Sequence, residues 1–334
     1  MNDDSMPLEV TLAGHARSLT EMQPSPARSV LARLVGANSQ AQARKALWGY
    51  LFALPWILGL IIFFGGPILA SAYYSFTEYD ILGSPVWIGL ANYTRAFTQD
   101  DLFWPSLGRT FLFTLAFVPT SVIGSLLLAM LLNQKLKGTL LFRTLFFIPH
   151  LIPAVALAVL WIFLLQPRLG PINVFLRAIG VLNPPPWLAS STSALYTVTL
   201  INVWAAVGGN TMLIFLAGLQ GVPQDFYDAA QVDGAGKWAK FVNITVPMLS
   251  PTIFFNLVLA VIAALKVFTT AWVATQGGPA YSTWFFVIHI YQEAFQFFRL
   301  GYGSALAWVL AVILIVFTLF QVRQSRRWVH YDGD

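Results

Sequence analysis

Residues 225–247 read DFYDAAQVDGAGKWAKFVNITVP. Three aspartates and two lysines crowd into this stretch, in a chain that is 57% hydrophobic and only 10% charged. A soluble domain carries about 25% charged residues. With a mean hydropathy of +0.68, 12 Trp and 27 Phe, the surroundings are those of a membrane protein. The question is what a polar segment does between two long apolar runs.

The runs themselves are long enough to cross a bilayer, which takes about 20 apolar residues. Residues 46–76, 110–134, 241–265 and 301–322 hold no charged residue, 144–166 hold only His150, and 187–224 are uncharged. These predict six membrane helices at 48–76, 110–132, 144–166, 194–219, 249–275 and 303–322. A helix satisfies its own backbone hydrogen bonds where lipid offers no partner. The fold class expected is therefore all-α, with six transmembrane helices.

Lys and Arg placement sets the orientation. With the N-terminus inside, thirteen of the 19 basic residues fall on inner segments, five on outer ones (Arg95, Arg109, Arg168, Arg177, Arg299), and Lys266 lies within a helix. Both termini are then cytoplasmic. The net charge of +5 is orientation charge and gives no reason to expect nucleic acid. Residues 1–45 are polar and lack a signal-peptide core, so they read as a cytoplasmic tail. Within them, 29–34 form either a short amphipathic helix or no structure. Cysteine is absent, which excludes disulfides, thiolate catalysis and Cys-bound metal. No cluster of His and carboxylates suggests a metal, and no nucleophile–base pair suggests an enzyme.

Within the polar segment, Pro223 falls at or near the first turn of a helix, where its missing N–H costs little. Asp225 and Asp228 suit the positive end of that helix. Phe226, Ala229 and Ala230 share one face. Asp233-Gly234 ends the helix, since glycine takes the left-handed cap conformation. A second helix over about 236–244 carries Trp238, Phe241 and Val242 and stops before Pro247. Two short helices of this kind either dock in a groove of a cytoplasmic partner or form a polar connector on their own bundle. The GAGK of residues 234–237 is not a phosphate loop, because the spacing to an earlier glycine and the Ser/Thr after the lysine are both missing.

The spacing DAA, three residues, Gly, nine residues, Ile-Thr-Val-Pro (Asp228 to Pro247) resembles the EAA loop of permease subunits of ATP-binding-cassette (ABC) importers. The departures are Asp for Glu at 228 and Val for Leu at 246. LAGLQGVPQDFYDAAQVDGA (216–235), TQGGPAYST (275–283) and YQEAF with GYGSALAW (291–308) resemble the sugar branch of these permeases, of maltose and trehalose type. The resemblance implies a type I ABC importer permease fold. Its parts would be a tail at 1–45, a first membrane helix and outer loop at 46–107, and a five-helix core at 108–322. The coupling loop would be 220–247, and a second cytoplasmic tail 323–334. It implies that Asp225, Tyr227, Asp228, Ala229, Ala230, Asp233, Gly234 and Ala235 meet an ATPase subunit.

Lys266 is an ionisable group in a membrane helix, which marks a pathway or a partner. It either faces a polar path with Thr269 or extends outward to the interface. Asn202, Trp204 and Asn210 suit a carbohydrate path, amides beside an aromatic ring. They serve equally as helix–helix contacts, with Gly208-Gly209 allowing close approach. His150, between Pro149 and Pro153, reads as a structural histidine rather than a proton relay. Glu293 and His289 fall in the outer segment 276–302, facing a partner or solvent.

The function expected is a permease subunit that imports a disaccharide or oligosaccharide, such as trehalose or maltose, by alternating access. Its partners would be a second permease subunit, two ATPase subunits that bind ATP and Mg, an extracytoplasmic sugar-binding protein and the bilayer. No cofactor would bind this chain. Its place would be a bacterial or archaeal cell membrane. The alternatives are an ABC permease for glycerol phosphate or another small solute, or a secondary transporter. No inverted halves of equal length are visible, which argues against the last.

Overall fold

A computed structural model of the chain describes residues 40–134 and 137–329. Most of the expected N-terminal tail, including 29–34, and residues 330–334 lie outside the described residues. Helix α1 (Gln40–Leu60) passes through a π turn, Ile61–Gly65, into α2 (Gly66–Ser75). A short hairpin, β1 (Thr77–Glu78) with β2 (Val86–Trp87), pairs antiparallel. It is followed by α3 (Ala91–Thr98) and the 30-residue α4 (Phe103–Leu132). Then come α5 (Thr139–Leu151), α6 (Ala154–Leu164), α7 (Pro171–Ala178), α8 (Ala194–Val207) and α9 (Asn210–Gly221). The second half holds α10 (Gln224–Val232), α11 (Lys237–Lys240), α12 (Ser250–Leu265), α13 (Thr269–Thr275), α14 (Phe286–Tyr291) and α15 (Leu300–Ser325).

Four helical stretches are long and apolar enough to span a bilayer: Lys45–Ser75, Phe103–Leu132, Ser250–Thr275 and Leu300–Ser325. The bent pairs α5/α6 and α8/α9 complete a set of six when each pair crosses once. The expected single helix at 144–166 is corrected. It starts at Thr139 and bends by 97° between α5 and α6. The cause is Pro153, which pushes Ile152 into an extended conformation (φ −71°, ψ 126°) because the proline ring clashes with a helical predecessor. The expected helix at 194–219 bends by 41° at Gly208-Gly209. The expected helix at 249–275 is interrupted between Leu265 and Thr269. Helix α4 begins seven residues before the expected 110, so Arg109 sits inside it rather than in an outer loop.

The described residues divide between Leu69 and Ala70 into two compact units. In the larger unit α4 is the axis, with α8, α9 and α12 packed along it. Phe113, Phe117, Ala129 and Leu132 of α4 meet Val198, Met212 and Phe215 of α8 and α9 in one buried cluster. A second cluster joins Ala96 of α3, Phe103 and Leu107 of α4, Phe286 of α14 and Tyr302, Leu306 and Leu310 of α15. Polar side chains inside the bundle turn back on their own helix: the hydroxyl of Thr110 donates to the Ser106 carbonyl at 2.9 Å and that of Thr114 to the Thr110 carbonyl at 2.8 Å. Thr110 also accepts from the Phe286 N–H at 2.9 Å, which holds the start of α14 on α4.

Candidate coupling loop and polar path

The polar segment, expected at 220–247, runs over 222–249 between α9 and α12 and folds as two short helices joined by a left-handed cap. Pro223 is the N-cap of α10, in an extended conformation. Asp225 lies in the first turn. Asp228 lies one turn further than expected and accepts from the Gln224 amide at 3.2 Å. Gly234 has φ +78°. The Gly234 N–H donates to the Gln231 carbonyl at 3.1 Å and the Ala235 N–H to the Ala230 carbonyl at 2.8 Å. This pair of bonds is the Schellman motif, which satisfies the last carbonyls of a helix and requires the left-handed residue.

Two cross-links then fix the angle between the arms. The Tyr227 and Thr245 hydroxyls lie 3.0 Å apart, and the Lys240 ammonium donates to the Gln231 carboxamide at 3.1 Å. Helix α11 is shorter than expected and continues as a π turn, Phe241–Thr245. The braced hairpin leaves apolar groups outside. Val232 is 89% exposed and Trp238 75%, and Phe226 and Val242 are also exposed. Asp225, Asp228, Ala229, Asp233 and Gly234 are exposed with them, and Tyr227, Ala230 and Ala235 are half-buried. A rigid polar loop with exposed aromatic and branched side chains can present one formed surface to a partner.

The polar residues of the expected path are partly brought together. Asn202 of α8 donates to the Val198 carbonyl at 2.8 Å and accepts from the Thr270 hydroxyl at 3.2 Å. It therefore joins α8 to α13, through Thr270 rather than through Thr269. Lys266 sits in the break after α12, exposed. Thr269 opens α13. Trp204 meets Trp161 edge-on at 5.4 Å and lines an apolar cavity of about 540 Å³ with Leu128, Phe146 and Leu200. Asn210 lies beyond the bend, exposed at the start of α9. The bend itself is a backbone contact: a Cβ on Gly208 would lie 1.9 Å from the Phe146 carbonyl oxygen, and one on Gly209 would lie 2.6 Å from His150 Nδ1.

Sequence reasoning missed a buried polar cluster formed by the turn after α3, by α14 and by the start of α15. His289 is 2% exposed, and its Nε2 lies 2.7 Å from Asp100 Oδ2. The Tyr302 hydroxyl donates to the same oxygen. Glu293, also buried, pairs with Arg299 at 3.2 Å. The expectation that His289 and Glu293 face a partner or solvent is corrected, because both find their partners inside the chain. Burial pushes the Asp100 carboxyl up. The hydrogen bonds from His289 and Tyr302, the His289 charge and the Leu102 N–H outweigh it and hold the group well below the usual carboxylate range. Asp100 and His289 are far apart in sequence and follow no periodicity, so no local signal could have paired them.

Comparisons with known proteins agree with this architecture. The sequence pattern of the family described as "Binding-protein-dependent transport system inner membrane component" matches residues 121–330. The probable ABC transporter permease protein YesP of Bacillus subtilis is 41% identical over 305 residues, 89% of this chain and 98% of that protein. The trehalose/maltose transport system permease protein MalF of Thermococcus litoralis is 32% identical over 293 residues, 86% of this chain and 97% of that one. In solved structures, the chain is similar to a bacterial ABC transporter involved in import of the acidic polysaccharide alginate. The match has a TM-score of 0.77 and 26% identity, and covers 86% of this chain and 98% of that one. The chain is also similar to a bacterial alginate ABC transporter crystallised in complex with an alginate pentasaccharide-bound periplasmic protein, at 25% identity, with a TM-score of 0.77 and coverage of 86% of this chain and 96% of that one.

Proposed function

We propose that this chain, which belongs to the family of binding-protein-dependent transport system inner membrane components and is a multi-pass ABC importer permease, carries a disaccharide or oligosaccharide, and that 222–249 is where an ATPase subunit attaches. The observation that carries the attachment is the braced loop with Phe226, Val232, Trp238 and Val242 outside it. Burying a Phe or Val contributes about 1.5–3 kcal/mol relative to leaving it exposed, so a cleft that takes these side chains is favoured over solvent. Asp225, Tyr227, Asp228, Ala229, Ala230, Asp233, Gly234 and Ala235 form the contact surface. The carbohydrate reading is supported by the cargo of the relatives: trehalose or maltose for one, alginate for another.

In this reading a binding protein delivers sugar to the outer loops 77–102 and 276–299. A second, related permease subunit completes the path. ATP and Mg bind to two ATPase subunits, and their closure is felt through 222–249 and drives the outward-open state. Sugar then enters a path bordered by Asn202, Trp204, Asn210, Lys266 and Thr269. Hydrolysis resets the bundle. The N- and C-termini are cytoplasmic, in the membrane of a bacterial or archaeal cell. Co-purification of the assembled complex, followed by ATPase measurements over a sugar panel in the presence of the binding protein, tests the whole. Hydrolysis stimulated by one sugar is expected. A permease that takes up solute in proteoliposomes without an ATPase, driven by an ion gradient, would overturn the reading.

A further inference from the structure

A cavity of about 790 Å³ borders neither the coupling loop nor the polar path. It lies between the β1–β2 hairpin, α3 and the turn 297–299 that leads into α15. Its position in the chain fixes its side. With each bent pair crossing once, 77–102 and 276–299 lie on one side of the membrane and 222–249 on the other.

The walls of the cavity are rigid. The Gly301 N–H donates to the Tyr79 carbonyl at 3.0 Å, and a Cβ on Gly301 would lie 2.1 Å from the Thr77 carbonyl oxygen. The Asn92 carboxamide donates to the Ser75 and Thr77 carbonyls at 3.0 and 2.9 Å, pinning α3 to the hairpin. Tyr302, also in the lining, is held by Asp100, and the Arg95 guanidinium stands 4.4 Å from its ring centroid.

The lining is chemically specific. Phe297 is 57% exposed at the cavity, beside the Arg299 guanidinium at 5.6 Å. The next residue, Phe298, has φ +56°, a left-handed conformation that costs a non-glycine residue about 1–2 kcal/mol. That cost persists where surrounding structure over-determines it, as at binding sites. Among the described residues the side chains of Glu78 and Gln99 have no hydrogen-bond partner. Formal charges cancel, Glu78 and Asp80 against Arg95 and Arg299. The cavity thus offers a largely exposed aromatic ring, planar donors and acceptors, and no net charge. A neutral ring that carries several hydroxyls and an apolar face satisfies all three. Ligand sites run from about 300 to 1,000 Å³, so the volume fits one or two sugar rings.

We propose that this cavity is an outer carbohydrate subsite, separate from the path through the bundle, with Phe297 as the stacking platform and Glu78, Gln99 and Arg299 as hydroxyl partners. It rests on the carbohydrate reading of the cargo. The test uses the assembled transporter in lipid nanodiscs, with the neutral sugars maltose and trehalose as probes in saturation-transfer NMR. At least one probe should give a signal with the wild type, and Phe297→Ala should cut it at least fivefold at an unchanged melting temperature. Glu78→Gln, which keeps the shape, should cut it about twofold. No signal with any probe, or a signal that Phe297→Ala leaves intact, overturns the subsite. So does a Phe297→Ala variant that loses binding-protein affinity alone, which would make the cavity a protein dock. Import of the same sugars by the wild type is read separately: import with an intact variant signal overturns the subsite only, and a transporter that imports none of a wide sugar panel overturns the cargo reading.

Discussion

Two polar regions interrupt this apolar chain, and they treat their polar groups in opposite ways. Around Asp100 the carboxylate, His289 and Tyr302 are bonded to one another inside the fold, and nearby the buried Glu293 is paired with Arg299. In 222–249 the internal bonds fix only the angle between two short helices, and Phe226, Val232, Trp238 and Val242 are left exposed. The first arrangement is what a region needs in order to hold its own shape. The second is what a region needs in order to hold something else. Charge density alone does not distinguish them, but the location of the partners does.

The comparison can be broken most easily at Asp100. Asp100→Ala leaves a buried His289 and Tyr302 without their acceptor, and breaking such a pair costs about 3–5 kcal/mol. Asp228→Ala, on the exposed loop, should stay within about 0.5 kcal/mol. Thermal unfolding of the purified chain in detergent reads both, and equal losses would erase the distinction. The pH dependence has a fixed sign. The folded-state pKa of Asp100 is lowered, so its stabilisation is full above the ordinary carboxylate value of about 4 and is lost as pH falls below it. Melting of the wild type should therefore fall more steeply below that value than melting of Asp100→Asn.

Two glycines sharpen the contrast at smaller scale. Gly301→Ala drives a methyl into the Thr77 carbonyl and should cost about 1–3 kcal/mol. Gly234→Ala meets nothing within 4 Å, so only its left-handed backbone is penalised, by about 1–2 kcal/mol. Its larger effect should be on function, with ATP hydrolysis no longer yielding transport. A Gly234→Val variant that takes up sugar normally would count against the coupling role. Lys266→Ala is the mildest test: stability should change by less than about 0.5 kcal/mol, while the half-saturating sugar concentration for uptake shifts. An unchanged value would remove Lys266 from the path.

Much of this was legible in the sequence because it is local. Apolar runs announced the membrane helices, and the left-handed cap at Gly234 followed from Asp233-Gly234 at the end of an amphipathic turn. The breaks were harder. Pro153 and Gly208-Gly209 were visible as signals, yet a kink and a 97° bend look alike in sequence, since the angle is set by what packs against the break. The interruption at 266–268 carries neither proline nor glycine, and nothing local predicts it. The Asp100 cluster and the outer cavity join segments about 200 residues apart, which only the folded bundle brings together. Asn202 shows the remaining gap: its residue type fitted a sugar contact and a helix–helix contact equally, and only the fold shows the Thr270 bond that makes it a link between helices.

The central claim is that 222–249 is the seat of an ATPase subunit. The chain has no cysteine, so a single introduced thiol reports one position only. Val232→Cys, where the native side chain is 89% exposed, and Leu82→Cys, where it is 96% exposed, would each be charged with a short photo-crosslinker in membranes that contain the whole transporter. The account predicts an ATPase adduct from Val232→Cys and none from Leu82→Cys. No ATPase adduct at Val232→Cys, or one at Leu82→Cys, would contradict it.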